Sequence, residues 1–336
     1  LAGRPQKGSD VAGNRKNLAQ VLAFATALFL APFFLPNEYY LTVLIIACIN
    51  AIIVAGLNLL LGYAGQISLG HAAFFGLSSY ATALATAKFG LPMELGLIIA
   101  VGLTSLVAFL IGIPTLKLSG HYLAMATLGF GVIVYIFFNE TVELTGGPSG
   151  YVGVPRLKLF GLVFSSDRAY YFLVAGVLAL IMLVSLNLIN SRFGRALRAI
   201  HTSEKAAQVS GVDIGKYKLL IFVLSAAYAA VAGFLYAHYL TFIAPTSFSF
   251  SFSVALITMV VLGGMANMWG AVAGAFFLTA LPQVLQVFET YEVLIFGGIL
   301  IVCMMFLPDG IVGGATRLLR FLASSLKRKQ GGADAR

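Results

Sequence analysis

The sequence predicts an all-α polytopic membrane protein of about ten transmembrane helices, with both termini on the cytoplasmic side. Composition is the first reason. Of 336 residues, 60% are hydrophobic and 10% charged, and the mean hydropathy of +0.96 lies above the range of soluble domains. The second reason is that the apolar residues come in long unbroken runs. About twenty such residues let a helix cross roughly 30 Å of hydrocarbon with its backbone amides and carbonyls paired internally, whereas membrane barrels read as short alternating strands. The third is charge. With the N-terminus inside and ten crossings, the inner segments hold 17 Lys and Arg against 5 acidic residues, and the outer segments 4 against 7, the asymmetry of the positive-inside rule.

Taken in order, residues 1–17 form a polar cytoplasmic tail containing Arg4, Lys7, Arg15 and Lys16. The run at 18–35 is too long for a secretory h-region and lacks a clear cleavage site, so it reads as a retained anchor. Runs at 41–61 and 71–87 flank a glycine-broken turn, and runs at 95–115 and 120–138 follow. Segment 139–168 is the longest external loop; Gly146, Gly147, Pro148, Gly150, Gly153 and Pro155 preclude regular helix there and favour turns. Its length suggests an ordered or partner-facing loop. After the sixth run, 169–190, comes a basic island at 191–218, then runs at 219–241, 251–262, 271–288 and 292–307. The eighth is short enough that the count could be nine. These elements make a transmembrane domain at 18–308, closed by a basic cytoplasmic tail at 309–336. A weak internal echo relates Leu60–Phe75 to Val261–Phe277: each joins an apolar run to a glycine-broken turn and then a small-residue helix. Paired interruptions of this kind point to a transport pathway in repeat-built transporters.

Several chemistries are disfavoured. The net charge of +9 is clustered beside membrane spans, not on a soluble fold, which argues against nucleic acid. Cys48 and Cys303 lie within apolar runs and read as buried small hydrophobes, giving no disulfide framework or metal site. No acidic residue lies deep in a run; Glu94, Glu289 and Glu292 sit at outer ends, which disfavours proton coupling. His71 opens a helix after Gly70, as a structural histidine or as a group polarising a pathway. No nucleophile, base or metal constellation suggests an enzyme. The nearest approach to a phosphate-binding loop, Gly211-Val212-Asp213-Ile214-Gly215-Lys216-Tyr217, has one residue too few between its glycines and Tyr in place of Ser or Thr. No cofactor is therefore expected on this chain, and any ATPase must be a separate subunit.

The island carries Arg192, Arg195, Arg198, Lys205, Lys216 and Lys218 against Glu204 and Asp213. Its first half predicts an amphipathic helix, with Phe193, Leu197 and Ile200 on one face and Arg195 and Arg198 on the other. Ser203 then suits an N-cap for a two-turn helix over 204–210, Glu204 suits the positive helix end, and Gly211 suits its termination. Ala206 and Ala207 keep this helix narrow enough to enter a partner's groove. A docking element and a solvated amphipathic loop at the lipid surface both fit this form.

Glu204-Lys205-Ala206-Ala207 followed by Gly211 resembles the EAA-type loop of ABC importer permeases, which seats in the ATPase subunit. Together with GLNLLLGYAGQISLGHAAFFG at 56–76, LTGGPSG at 144–150 and RFGRALRAI at 192–200, it resembles the branched-chain amino acid permease family, in its LivM-type branch, over residues 41–310. The I-x-L-P ending of many such loops is absent. The resemblance implies a heterodimer with a LivH-type permease in the lipid of a bacterial cytoplasmic (inner) membrane. It also implies two cytoplasmic ABC ATPases holding ATP and Mg, and a periplasmic or lipid-anchored substrate-binding protein. The implied cargo is leucine, isoleucine and valine. Arg195, Arg198, Glu204, Ala206, Ala207 and Gly211 would then couple to the ATPase, and Gly146, Gly147, Pro148 and Gly150 would face the binding protein. Without deep charges, an amino acid crossing the membrane would meet helix ends, backbone groups and polar side chains such as Asn58, Gln66, Ser68, His71 and Asn267. Each of the latter equally suits interhelical hydrogen bonding. Two alternatives stay open: a same-family importer of urea, short-chain amides or aromatic acids, and an autonomous sodium-coupled carrier or channel.

Overall fold

The computed structural model describes residues 7–33, 37–116, 118, 120–159, 161–164 and 166–285, together with positions 297, 298, 301, 305, 310 and 313. The run at 292–307 and the tail at 309–336 therefore lie outside the described residues, apart from those six positions. Along the rest, helices stand where apolar runs predict them. They are α1 (Lys7–Leu30), α2 (Glu38–Asn58), α3 (His71–Ala83), α4 (Met93–Thr115), α5 (His121–Glu140), a single turn α6 (Val142–Thr145) and α7 (Asp167–Asn190). The island forms α8 (Arg192–Thr202) and α9 (Glu204–Val209), followed by α10 (Ile214–Leu240), α11 (Phe250–Gly263) and α12 (Met268–Leu285). Among the described residues six helices are long and apolar enough to cross a membrane: α2 with its extension, α4, α5, α7, α10 and α12.

Boundaries differ most from the apolar runs at α1 and at α10, which starts at Ile214 and not at 219. Helix α1 begins at Lys7, so part of the polar segment at 1–17 is helical. Hydropathy marks what lipid can accept, whereas backbone hydrogen bonding continues past the apolar edge. Helix α11 has 14 residues. At 1.5 Å per residue that is about 21 Å, short of the hydrocarbon thickness on its own.

Helix α2 is the axis of the core: every residue from Ala47 to Asn58 is buried. It packs against α7, α10, α11 and α12, while α10 packs against α3 and α4, and α1 lies on α7. Small residues line the contacts of α10 with α3 and α4, as close approach in a membrane bundle requires. Ser78 and Ser79 of α3 donate to the carbonyls of Ala230 (2.5 Å) and Gly233 (3.1 Å) of α10. A Cβ at Gly233 would come within 2.5 Å of the Phe75 carbonyl oxygen. Helix α4 meets α10 through Gly96, Ala100, Thr104, Ala108 and Gly112, buried at every fourth position, and exposes Ile98, Leu106 and Leu110 on its other side.

Contacts between helix ends define the two faces of the bundle. At one, Tyr239 donates to Thr42 (3.0 Å) and Tyr39 to Gln283, bringing together the end of α10, the start of α2 and the end of α12. The loop after α5 lies at this face. Its strand β1 (Tyr151–Val152) precedes a small hairpin of β2 (Lys158–Leu159) and β3 (Leu162–Val163). β1 pairs antiparallel with β4 (Phe242–Ile243), just beyond α10, in the register Tyr151 to Ile243. At the other face, α7 ends and α10 begins, with α8 and α9 between them. The long loop and the basic island thus occupy opposite ends of the same helices.

Candidate functional site

Serine caps and arginine donors shape the island. Ser191 caps α8 by accepting the Phe193 amide (3.1 Å), and the Phe193 ring packs on Tyr217, centroids 5.2 Å apart. Leu197 and Ile200 are buried, so α8 turns to the bundle the face that its pattern predicts. Its Arg195 and Arg198 are exposed yet anchored: Arg195 donates to the Asn190 carbonyl (3.4 Å) and Arg198 to that of Ile189 (3.2 Å). Both satisfy carbonyls at the negative end of α7, where a cation is favoured.

Ser203 accepts the Ala206 amide (3.3 Å) and so starts α9 where the N-cap reading places it. Ala207 is buried, Ala206 is exposed and Val209 is 91% exposed, leaving one side of this short helix uncovered among the described residues. Gly211 ends it with φ +81, a value open to glycine at little cost. The following stretch, the imperfect phosphate-loop spelling, starts α10 with Asp213 accepting the Lys216 amide (3.1 Å). Sequence reasoning missed the role of Lys218. Its side chain is 7% exposed, and its ammonium meets the carboxylate of half-exposed Glu204 at 2.7 Å. Such a pair ties α9 to α10, because a nearly buried cation left alone is strongly disfavoured. The signal was present as a lone basic residue beside an apolar run, but its partner lies fourteen positions away.

Between the island and the core lies the first glycine-broken turn. Helix α2 loosens into a π segment at Leu59–Tyr63, against which α8 packs. Gly65 then takes φ +66, and a Cβ there would come within 2.7 Å of the His201 ring on α8. The conformation and the close approach both require glycine. Beyond it, Ser68 bonds His71 Nδ1 (3.0 Å) and His71 Nε2 bonds Ser225 of α10 (2.6 Å), a buried polar chain joining the turn to the bundle. Leu69 donates to Thr127 of α5 (3.0 Å), and Ala72 donates to Ser253 of α11 (3.2 Å). Gln66 is different: it is buried, and neither amide atom has a hydrogen-bond partner among the described residues.

The second glycine-broken turn meets the first. Asn58 accepts the Ala266 amide at 3.1 Å and approaches Met268 Sδ at 3.3 Å. Ala266 is held at φ 58, a region costly for a residue with a Cβ, so the Asn58 bond offsets local strain. Asn267 accepts the Gly270 amide (3.2 Å) and starts α12. Of the five polar residues expected along a path, Asn58, Ser68, His71 and Asn267 make intramolecular hydrogen bonds, and Gln66 is the one whose polar atoms are unspent. None of the five lines the cavity of about 250 Å³ between α3, α5 and α11. That cavity is bounded by Ser249, Ser251, Ser253 and Tyr135 and by apolar side chains, residues whose spacing in sequence gave no cue.

At the opposite face, Gly146, Gly147 and Gly150 have φ values of 77, 58 and 76, which explains the glycines of this motif as a folded turn. Gly147 donates to Thr145 Oγ1 (3.2 Å), and a Cβ at Gly150 would meet the Ile243 carbonyl oxygen at 2.6 Å. Pro148 is exposed at the tip.

Comparisons with known proteins agree with one another. Residues 39–304 match the family described as branched-chain amino acid transport system / permease component. The chain is 33% identical over 301 residues to the high-affinity branched-chain amino acid transport system permease protein LivM of Escherichia coli K12, covering 83% of this chain and 69% of that protein. It is 32% identical over 298 residues to LivM of Salmonella typhimurium, covering 82% and 70%. The E. coli permease protein LivH matches over 126 residues at 35% identity, covering 37% of this chain and 40% of its own length. No solved structure matches. The family match spans most of the chain and the LivM similarity covers more than four-fifths of it, so the chain belongs to the branched-chain amino acid permease family of multi-pass membrane transport proteins.

Proposed function

We propose that this chain is one permease subunit of an ATP-driven importer that carries leucine, isoleucine and valine across a bacterial cytoplasmic membrane. About ten helices cross, with α8 and α9 and both termini on the cytoplasmic side, in keeping with the charge asymmetry. A LivH-type permease completes the pathway, two ABC ATPases bind ATP and Mg, and a substrate-binding protein docks on the loop around Pro148. The short similarity to LivH supports a shared plan for the two permeases.

One observation carries the coupling role most directly. Helix α9 is capped at its start, exposed on one side, and joined to α10 through the Glu204–Lys218 pair at 2.7 Å. In the same island, His201 of α8 abuts Gly65, at the head of the turn that carries Gln66, Ser68 and His71. A force applied to α8 and α9 by closing ATPases therefore reaches both a central helix and the polar turn through packed groups. Ala206, Ala207 and Gly211 shape the docking helix, Glu204 braces it, and Arg195 and Arg198 hold α8 to the end of α7. Gln66 offers its free carboxamide to the passing substrate.

The test is Val209→Asp, a change at an exposed position that leaves the core intact. Copurification of the ATPases with the membrane-inserted chain should fall, and ATP-dependent leucine uptake with it. Unchanged ATPase retention and uptake in both Val209→Asp and Gly211→Pro would remove the docking assignment.

A further inference from the structure

The cavity between α3, α5 and α11 has a chemistry of its own. Its volume of about 250 Å³ is below the roughly 300–1,000 Å³ of drug-sized sites, so it suits a ligand of few heavy atoms. Among the described residues, no charged one lines it. Its lining combines apolar Leu128, Val132 and Phe248 with the polar Ser249 and Ser251 at the head of α11. Ser249 is the N-cap residue of α11 but makes no side-chain cap bond, so its hydroxyl is not committed to the helix. The amides of Phe252 and Ser253 turn back to the Ser249 carbonyl (3.1 and 3.4 Å). The amides ahead of them have no acceptor within the helix, and this 14-residue helix directs its positive end to the cavity. Val132, Phe250 and Ser251 are exposed, so the mouth opens between α5 and α11.

We propose that this cavity is a transit subsite for a zwitterionic aliphatic amino acid, a reading that rests on the transport function above. The α-carboxylate sits at the head of α11, within reach of the Ser249 and Ser251 hydroxyls, where backbone amides and helix polarity replace a fixed cation. The Phe250 and Tyr135 rings offer faces to the ammonium group. The branched side chain lies on Leu128, Val132 and Phe248. A site without charged residues holds its cargo weakly, as a pathway must, while its apolar wall still discriminates by size. Gly131 sets that size. A Cβ there would lie 3.5 Å from the Leu69 carbonyl oxygen, in ordinary contact, so alanine fits the fold yet narrows the cavity.

Two measurements on the complete importer in proteoliposomes test the subsite. The first places a cysteine at Ser251 with Cys48 and Cys303 replaced by alanine, and follows labelling by a small water-soluble maleimide. Leucine delivered by the loaded binding protein during ATP turnover should slow labelling several-fold. The second is Gly131→Ala, which should lower leucine uptake relative to valine by about three- to ten-fold, the scale on which one methyl group discriminates in an apolar pocket. Labelling indifferent to leucine, with an unaltered leucine-to-valine ratio, in complexes that still transport leucine would overturn the subsite and leave the transport function standing. A wild-type complex that takes up no branched-chain amino acid would overturn the function itself, and the subsite with it.

Discussion

Gln66 separates stability from function at a single position. Its buried carboxamide makes no hydrogen bond among the described residues, so the fold bears its desolvation without return. Gln66→Leu should keep or raise thermal stability in detergent, by up to about 1–3 kcal/mol, while uptake falls. A variant both less stable and fully active would show that the side chain serves packing alone. Glu204 and Lys218 give an asymmetric prediction. Removing Lys218 leaves a carboxylate that solvent can reach, whereas removing Glu204 strands the charge of a side chain only 7% exposed. Glu204→Gln should therefore destabilise more than Lys218→Met, by about 1–2 kcal/mol after allowance for the exposed side of the pair. Asn58→Leu should cost about 1–3 kcal/mol by stranding the Ala266 amide, and Ala266→Gly should recover part of that loss. The unfolding midpoints of the single and double variants measure both effects.

The island is where the elements were most legible in sequence. Ser203, Glu204 and Gly211 announce a short capped helix, and α9 runs from Glu204 to Val209 between them. The face of α8 followed from the spacing of Phe193, Leu197 and Ile200, because helical periodicity is local information. Removing the cap by Ser203→Ala should loosen α9 by about 1 kcal/mol, seen as faster amide exchange over 204–209 with little change in the global midpoint. Exchange unaltered by the substitution would mean that packing, not the cap, holds the helix. What the sequence left dark depends on partners distant along the chain. Lys218 stood out as a charge but not as the partner of Glu204. His201 gave no sign of meeting Gly65, and the serines of α11 look like any others in a membrane helix until α3 and α5 are set beside them. The polar residues chosen from sequence were those at interrupted helices, and most serve to join the interruptions together.

At the scale of the molecule, two ends with different chemistries are joined by shared helices. α7 and α10 run from the folded loop, where β1 pairs with β4, to the island where α8 and α9 sit. α10 carries the His71 partner Ser225, the Glu204 partner Lys218 and the close contacts with α3 and α4, so displacement at α9 cannot remain local. The proposed coupling to separate ATPases acts through this arrangement. Its most direct test is leucine uptake into proteoliposomes holding the complete importer or this chain alone, each with and without internal ATP facing the island. The expected result is accumulation only with the full set of subunits and ATP, and loss of that accumulation in Val209→Asp. Leucine flux through this chain alone, independent of ATP, would contradict it.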